Sequence, residues 1–205
     1  MILGSWFLDH FKNRIKNKDR GLNLIKLNFY AKKERVYFMK VFLIGFMGSG
    51  KTTIGKKLAN YLKYDFIDLD KFIEVKAGLS IVDYFERYGE ESFRELERDV
   101  LQNNSFTENV IIATGGGAPC YSDNMEWMNK NGRVAYLSLP PKALATRLEH
   151  SKTDRPLIRN LKGDELIDFI SQKLEEREIY YSQSRFVISA SDLTAERLAL
   201  YLNIS

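Results

Sequence analysis

The segment 45–53 constrains the fold more than any other part of the chain. It reads GFMGSGKTT, follows the apolar run 41–44 and precedes the amphipathic stretch 54–62. A strand, a glycine-rich loop and a helix start in this order are the setting of a phosphate-binding loop of pattern G-x-x-x-x-G-K-[ST]. Backbone N–H groups of such a loop form an anion-binding nest, and the helix N-terminus adds positive potential. The pattern therefore predicts a nucleotide site.

The loop also assigns roles to its side chains. Lys51 can reach the β- and γ-phosphates of a nucleotide, and the Thr52 hydroxyl can bind Mg²⁺. The other residues of the loop that we expect at the phosphates are Gly48, Ser49, Gly50 and Thr53.

Composition is that of an ordinary globular chain. The 205 residues are 44% hydrophobic and 28% charged, which fits one domain plus an appendage. Cys120 is the single cysteine, so no internal disulfide can form and a reducing cytosol suits the chain. No run approaches the roughly 18 apolar residues of a membrane span, and segment 2–8 lacks the features of a signal peptide. We expect a cytoplasmic protein with no membrane partner.

The net charge of +4 is unevenly distributed. Residues 1–38 hold nine Lys/Arg against three Asp/Glu, whereas the remaining 167 residues hold 22 against 24. A basic arm could bind nucleic acid or membrane phosphates. The alternatives, which we favour, are a disordered extension or an upstream start codon with Met39 as the real start. We therefore expect a domain over 39–205 and no nucleic-acid partner.

Apolar runs alternate with helical patterns along the rest of the chain. This alternation predicts a three-layer α/β/α sandwich with parallel strands covered on both faces. The predicted strands are 40–45, 65–68, 110–114, 133–139 and 186–190. The predicted helices are 51–62, 70–77, 80–87, 89–103, 122–131, 141–149, 163–182 and 194–202.

Two carboxylates end the second predicted strand. Ligands of open α/β sheets bind beyond the carboxyl ends of the strands, so Asp68 and Asp70 are expected to face the phosphate loop. One can serve Mg²⁺ and the other can hold an acceptor hydroxyl. The alternative is that Asp70 caps the next helix, which would explain only one of the two.

Other polar positions suggest a second ligand. Gly115, Gly116 and Gly117 close the third strand, where they permit positive φ and close backbone approach. Arg94 stands three residues before Glu97 at helical spacing, as a solvated ion pair or a functional group. Arg177 lies on the apolar stripe of its helix and needs an anionic partner, either a core carboxylate or a bound substrate.

The polar segment 151–163 is predicted to be an exposed loop. It contains Arg155 and follows a helix that ends near Arg147. A basic mobile loop suits a lid that closes over nucleotide phosphates, and a solvated charged loop is the alternative.

Taken together, these motifs resemble the shikimate kinase family from Met39 to the C-terminus. The matching segments are GFMGSGKTTIG at 45–55, FIDLD at 66–70, the turn Gly78-x-Ser80-Ile81, GEESFRELE at 89–97, TGGG at 114–117, RPL at 155–157 and Glu176-Arg177. The resemblance implies a fold of the nucleoside-monophosphate-kinase type, with a five-stranded parallel sheet of order 2-3-1-4-5. It also implies a lid over about 151–163, substrate-binding helices over about 70–103, and ATP-dependent phosphorylation of the 3-hydroxyl of shikimate in aromatic amino acid biosynthesis.

The resemblance implies a role for each matching residue. Asp70 would hold the acceptor hydroxyls and act as the base, and Asp68 would lie near Mg²⁺. The remaining implied roles are the shikimate carboxylate clamp for Arg94 and Arg177, the platform beside the ring for Gly115 to Gly117, the phosphates for Arg155 and the adenine for Arg147. ATP and shikimate are thus the expected partners, and we expect a monomer.

The chain departs from the family in residues 1–38, in segment 147–155, which is one residue longer than in some relatives, and in the short loop 189–192, which lacks a proline often found there.

Two other classes of protein share the phosphate loop. The paired arginines Arg94 and Arg177 with the TGGG platform favour the shikimate kinase family over a related small-molecule kinase, such as gluconate kinase. A regulatory GTPase requires D-x-x-G and N-K-x-D, and neither pattern occurs in the chain.

Overall fold

The computed structural model describes residues 39–151 and 155–204, so the predictions for segment 1–38 and for lid residues 152–154 lie outside the described residues. The strands are β1 (Lys40–Ile44), β2 (Asp65–Asp68), β3 (Val110–Ala113), β4 (Arg133–Ser138) and β5 (Phe186–Ser189). The helices are α1 (Lys51–Leu62), α2 (Leu69–Ala77), α3 (Ile81–Asn103), α4 (Asn124–Asn131), α5 (Pro141–Glu149), α6 (Gly163–Tyr181) and α7 (Ala195–Tyr201). Short 3₁₀ helices cover Ala118–Cys120 and Pro156–Ile158.

The five strands form one sheet of order β2-β3-β1-β4-β5, with every neighbouring pair parallel. The order that the family resemblance implied is confirmed. All five carboxyl ends consequently meet at one edge, and the predicted site segments follow these ends.

The core lies on both faces of the sheet, as β1 shows. Val41 and Leu43 belong to one apolar cluster, with helices α1, α5 and α7, whereas Phe42 and Ile44 belong to a second, with α2, α3 and α4. All four side chains are fully buried. A continuous apolar run is thus what a parallel strand covered on both faces requires, and the predicted three layers are confirmed.

Two glycines in the left-handed region shape the helices around the site. Gly50 has φ 97° and is the N-cap of α1, which turns the chain from the phosphate loop into the helix. Gly89 has φ 81° and ψ 173° and kinks α3 where the sequence predicted a break between two helices. The half of α3 that carries Arg94 begins after this kink.

The lid segment is more ordered at its end than the predicted exposed loop. Ile158 lies in the second 3₁₀ helix, donates its N–H to the Arg155 carbonyl and is buried in the core.

Among the helices of the described residues, none is both long enough and apolar enough to cross a bilayer.

Candidate active site

The phosphate loop holds its lysine in a buried position. The Lys51 ammonium donates hydrogen bonds to the carbonyls of Gly45 at 2.8 Å and Phe46 at 2.9 Å, and only 9% of the residue is exposed. Burial lowers the pKa of Lys51 to about 8, an effect that Asp70 opposes and Arg155 reinforces. A phosphate near this ammonium would therefore raise its pKa again.

A cleft of about 430 Å³ opens beside the loop. Its lining combines the phosphate loop and the first turns of α1 with one residue of α5 and the chain beyond β5, namely Gly48, Ser49, Gly50, Thr53, Ile54, Lys57, Arg147, Ala190, Asp192 and Leu193. Arg147 spans the cleft, because its guanidinium donates to the carbonyls of Ser49 and Ala190, each at 3.3 Å. The cleft places this predicted adenine-side arginine and the predicted phosphate contacts on one continuous surface.

Thr52 and Asp68 lie together, as a shared metal site requires. The Thr52 hydroxyl donates to Asp68 Oδ2 at 2.8 Å. Mg²⁺ takes oxygen ligands and keeps several waters, so one hydroxyl and one carboxylate beside nucleotide phosphates fit its needs. The capping alternative was assigned to the wrong residue: Asp68, not Asp70, is the N-cap of α2 and accepts the Lys71 N–H at 3.4 Å.

Asp70 therefore lies in the first turn of α2 and does not cap the helix. Burial raises the pKa of its carboxyl, and Asp68 raises it further, while Lys51 and Arg94 oppose the shift. A carboxylate with a raised pKa accepts a proton more readily near neutral pH, which suits a general base.

The three glycines after β3 each face a different charged side chain. A Cβ on Gly115 would lie 2.6 Å from Asp70 Oδ1, one on Gly116 would lie 3.3 Å from Arg177 Nη1, and one on Gly117 would lie 3.0 Å from both terminal nitrogens of Arg94. None of the three has positive φ, so the expectation of backbone freedom was wrong here. Their shared property is the space that a missing side chain leaves for three functional groups.

Arg94 and Glu97 form a buried pair, so the solvated alternative is wrong. Arg94 Nη1 donates to Glu97 Oε2 at 2.8 Å, and the side chain of Glu97 is 1% exposed. Burial raises the pKa of Glu97, with Arg94 opposing. Glu97 thus holds the arginine from beneath and leaves the outer part of the guanidinium toward the glycines.

Arg177 lies half-buried with its guanidinium 5.2 Å from the centre of the Phe46 ring. Of the two partners left open by the sequence, a core carboxylate is not found: within residues 39–151 and 155–204, no carboxylate makes an ion pair with Arg177. A charge held in this position favours an anionic ligand.

Arg155 also has unused hydrogen-bonding capacity. Its Nε is buried and has no hydrogen-bond partner among the described residues, and burial lowers the pKa of its guanidinium while Asp70 opposes this shift. The Oγ atom of Ser49 in the phosphate loop is also buried, with no hydrogen-bond partner in residues 39–151 and 155–204. Unpaired buried donors are costly, so both atoms are suited to meet ligand oxygens.

Sequence reasoning missed one residue that supports the glycines. Tyr181 is fully buried on α6, one helical turn beyond Arg177, and its hydroxyl donates to the Gly116 carbonyl. The spacing of four residues from Arg177 placed it on the same helix face, but nothing in the sequence indicated that its hydroxyl reaches the glycine loop.

Comparison with known proteins agrees with this geometry. A family model of shikimate kinases matches residues 47–203. A shikimate kinase of Bacteroides thetaiotaomicron is 45% identical over 155 residues, covering 76% of this chain and 89% of the relative.

Solved structures give the same result. The 1.7 Å crystal structure of shikimate kinase from B. thetaiotaomicron matches with a TM-score of 0.77 and 42% identity, over 80% of this chain and 98% of that one. A shikimate kinase from Acinetobacter baumannii, solved in complex with shikimate, matches with a TM-score of 0.69 and 34% identity, over 80% and 93% of the two chains. The chain described here belongs to the shikimate kinase family.

Proposed function

We propose that the protein transfers the γ-phosphoryl group of ATP to the 3-hydroxyl of shikimate, giving ADP and shikimate 3-phosphate for aromatic amino acid biosynthesis. The observation that carries this proposal is the arrangement of the three glycines. They leave room for one carboxylate, Asp70, and two arginines, Arg94 and Arg177, at the edge of a phosphate-binding loop. A small acceptor with hydroxyls and a carboxylate is the ligand that this set of charges complements.

On the acceptor side, Asp70 orients the 3-hydroxyl. As the hydroxyl oxygen forms its bond to the γ-phosphorus, its proton passes to the Asp70 carboxylate and the bond to the bridging oxygen of ADP breaks. Arg94 and Arg177 hold the substrate carboxylate through paired hydrogen bonds, which planar guanidinium groups make well. They fix the ring so that one hydroxyl faces the phosphate.

On the nucleotide side, the protein supplies positioning and positive charge. Lys51 and Arg155 offset the charge on the transferring group, and Gly48 to Thr53 hold the phosphates through backbone N–H groups. Mg²⁺ held through Thr52 and Asp68 would neutralise phosphate charge. Arg147 lines the nucleotide cleft on its adenine side.

We also propose that the enzyme works in the cytoplasm as a monomer without nucleic-acid or membrane partners. The single cysteine suits a reducing compartment, and every group proposed for the site comes from one chain.

The test is an ADP-release assay with ATP and shikimate, compared with gluconate, quinate and nucleoside monophosphates. Of these acceptors, only shikimate should support rapid turnover. Arg94→Lys and Arg177→Ala should each raise the KM for shikimate roughly tenfold or more and leave the KM for ATP unchanged, because hydrogen bonds to charged groups contribute about 1.5–3 kcal/mol. An increase in the KM for ATP with an unchanged KM for shikimate would refute the assignment of both arginines.

A further inference from the structure

Tyr121 contacts Arg94 from the opposite wall of the site. It follows the 3₁₀ helix Ala118–Cys120 after the glycines, whereas Arg94 lies on α3. The Arg94 guanidinium carbon lies 4.0 Å from the centre of the Tyr121 ring. This distance is well inside the range in which a cation is attracted to an aromatic face.

The hydroxyl of Tyr121 reaches the same arginine through a carboxylate. It donates to Glu90 Oε1 at 2.8 Å, and that oxygen also accepts from Arg94 Nη2 at 3.1 Å and from Arg94 Nε at 3.3 Å. These hydrogen bonds, the one from Tyr121 foremost, hold the pKa of Glu90 below its usual value, so the carboxylate is ionised at neutral pH. Tyr121 therefore restrains Arg94 both at its face and, through Glu90, at its edge.

We infer that Tyr121 and Glu90 are positioning residues for the substrate carboxylate, acting through Arg94. This inference rests on the proposed function, in which Arg94 binds that carboxylate. It adds two residues to the acceptor site, neither of which contacts the reacting atoms.

Glu90 orients Arg94 without occupying the N–H groups that the substrate carboxylate needs. A guanidinium has five N–H donors. In the described part of the chain, Glu90 takes the donors at Nε and one at Nη2, and Glu97 takes one at Nη1. One N–H on each terminal nitrogen is left, which is the pair that a bidentate carboxylate uses.

The contacts also explain why this arginine needs a restraint from outside. Glu97 is buried beneath Arg94, whereas Glu90 is exposed over 55% of its side chain and directly follows the kink at Gly89. A carboxylate that is largely exposed to solvent and lies next to a kink has few contacts that fix it. The Tyr121 hydroxyl supplies a further restraint, because its hydrogen bond joins the helix to the loop after β3.

Two substitutions separate the contributions of the ring and the hydroxyl. Tyr121→Phe keeps the ring and removes the hydrogen bond, so we expect the KM for shikimate to rise about threefold. Tyr121→Leu removes both contacts, and we expect a rise of about tenfold. In both variants kcat and the KM for ATP should stay within about twofold of wild type, since the phosphate loop lies on separate elements.

A matched control lies on α7. Tyr201 is 48% exposed, and its hydroxyl accepts a hydrogen bond from Arg197 at 3.3 Å, so it makes a comparable arginine contact away from the site. Tyr201→Phe should leave both KM values unchanged. Glu90→Ala should raise the KM for shikimate, and adding Tyr121→Phe to it should raise the KM less than it does in wild type, because the hydroxyl acts through Glu90.

The methyl ester of shikimate gives a readout that general loosening of the fold would not change. It lacks the carboxylate, so wild type and Tyr121→Leu should use it with equal and weak affinity. If Tyr121→Leu does not fold, Tyr121→Phe and Glu90→Ala carry the same comparison.

The inference is overturned if the Tyr121 and Glu90 variants leave the KM for shikimate unchanged. A lower KM would overturn it as well, because it would mean that Glu90 competes with the substrate for Arg94. It is also overturned if the Tyr121 and Glu90 substitutions weaken the affinity for the methyl ester as much as the affinity for shikimate. Arg94→Lys separates the two proposals: a raised KM for shikimate in Arg94→Lys with no effect of Tyr121 refutes the inference alone. No effect of Arg94→Lys refutes both the clamp and the inference.

Discussion

Gly115→Ala tests whether the glycines serve the site by leaving space. The backbone at Gly115 does not have positive φ, so alanine can adopt its conformation. The added Cβ would lie 2.6 Å from Asp70 Oδ1 and 3.0 Å from Glu97 Oε1, whereas ordinary contact begins at 3.4 Å. Glu97 is buried and paired with Arg94, so Asp70 is the side chain that must move, by about 0.8 Å for ordinary contact.

A shift of this size has a large effect on rate and a small one on stability. Misplacing a reacting group by about 1 Å can cost on the order of 10²-fold in rate, so we expect kcat to fall about 10- to 100-fold. This loss corresponds to about 1.4–2.8 kcal/mol of transition-state stabilisation. Alanine at a compatible backbone position stabilises by about 0.4–1 kcal/mol, which offsets part of the steric cost, so Tm should change little.

The measurement is ADP release at saturating ATP and shikimate, together with thermal unfolding of each variant. Gly116→Ala is the matched control, since its Cβ would lie 3.3 Å from the mobile end of Arg177, and its kcat should fall much less. In Gly117→Ala the added Cβ would lie 3.0 Å from the terminal nitrogens of Arg94. This variant should therefore raise the KM for shikimate more than it lowers kcat. A Gly115→Ala enzyme with the kcat of wild type would refute the reasoning, as would equal losses in Gly115→Ala and Gly116→Ala.

Three further predictions concern the nucleotide side and the N-terminal segment. The pKa of Lys51 is lowered from 10.5 to about 8, so its charge is lost as pH rises through that value; kcat/KM for ATP should decline above about pH 8, and a flat profile to about pH 9 would contradict the role of burial. EDTA should abolish turnover, and Asp68→Asn should raise the Mg²⁺ concentration needed for half-maximal rate; full activity in EDTA would exclude the roles of Thr52 and Asp68. Deleting residues 1–38 should leave kcat and Tm nearly unchanged because every proposed site residue lies beyond Met39, and a large fall in either would show that the segment contributes to the domain.

The sequence predicted the fold well because its signals are local and strong. The apolar run of β1, the glycine loop and the start of α1 are contiguous, and each strand prediction agrees with the observed bounds within one residue. The sheet order came only from the family resemblance. Apolar runs show that strands are buried on both faces, but they do not show which strands are neighbours.

Individual site residues were harder to predict because their partners are distant in sequence. Spacing alone gave the pair of Arg94 and Glu97, but it could not show that Glu97 is buried. The capping alternative was placed on Asp70, because Asp70 and Asp68 are equally good capping residues and only the observed start of the helix decides between them. Tyr121 gave no signal at all, since its contact with Arg94 exists only once the loop after β3 packs against α3.

The charges of the site are unequally satisfied, and the least satisfied ones indicate where anions should bind. Arg94 is held by two carboxylates, and Lys51 by two carbonyl groups. Within the part of the chain that the structure describes, Arg177 makes no ion pair with a carboxylate and the buried Nε of Arg155 has no hydrogen-bond partner. An incompletely paired cation that is partly removed from water destabilises the free enzyme, and an anionic ligand offsets that cost when it binds. Arg177 faces Gly116 in the acceptor site, and Arg155 lies within electrostatic range of Lys51 and Asp70. The two positions therefore correspond to the two anions of the proposed reaction, the substrate carboxylate and the transferring phosphate, so each ligand should stabilise the protein against heat, most strongly when both are bound.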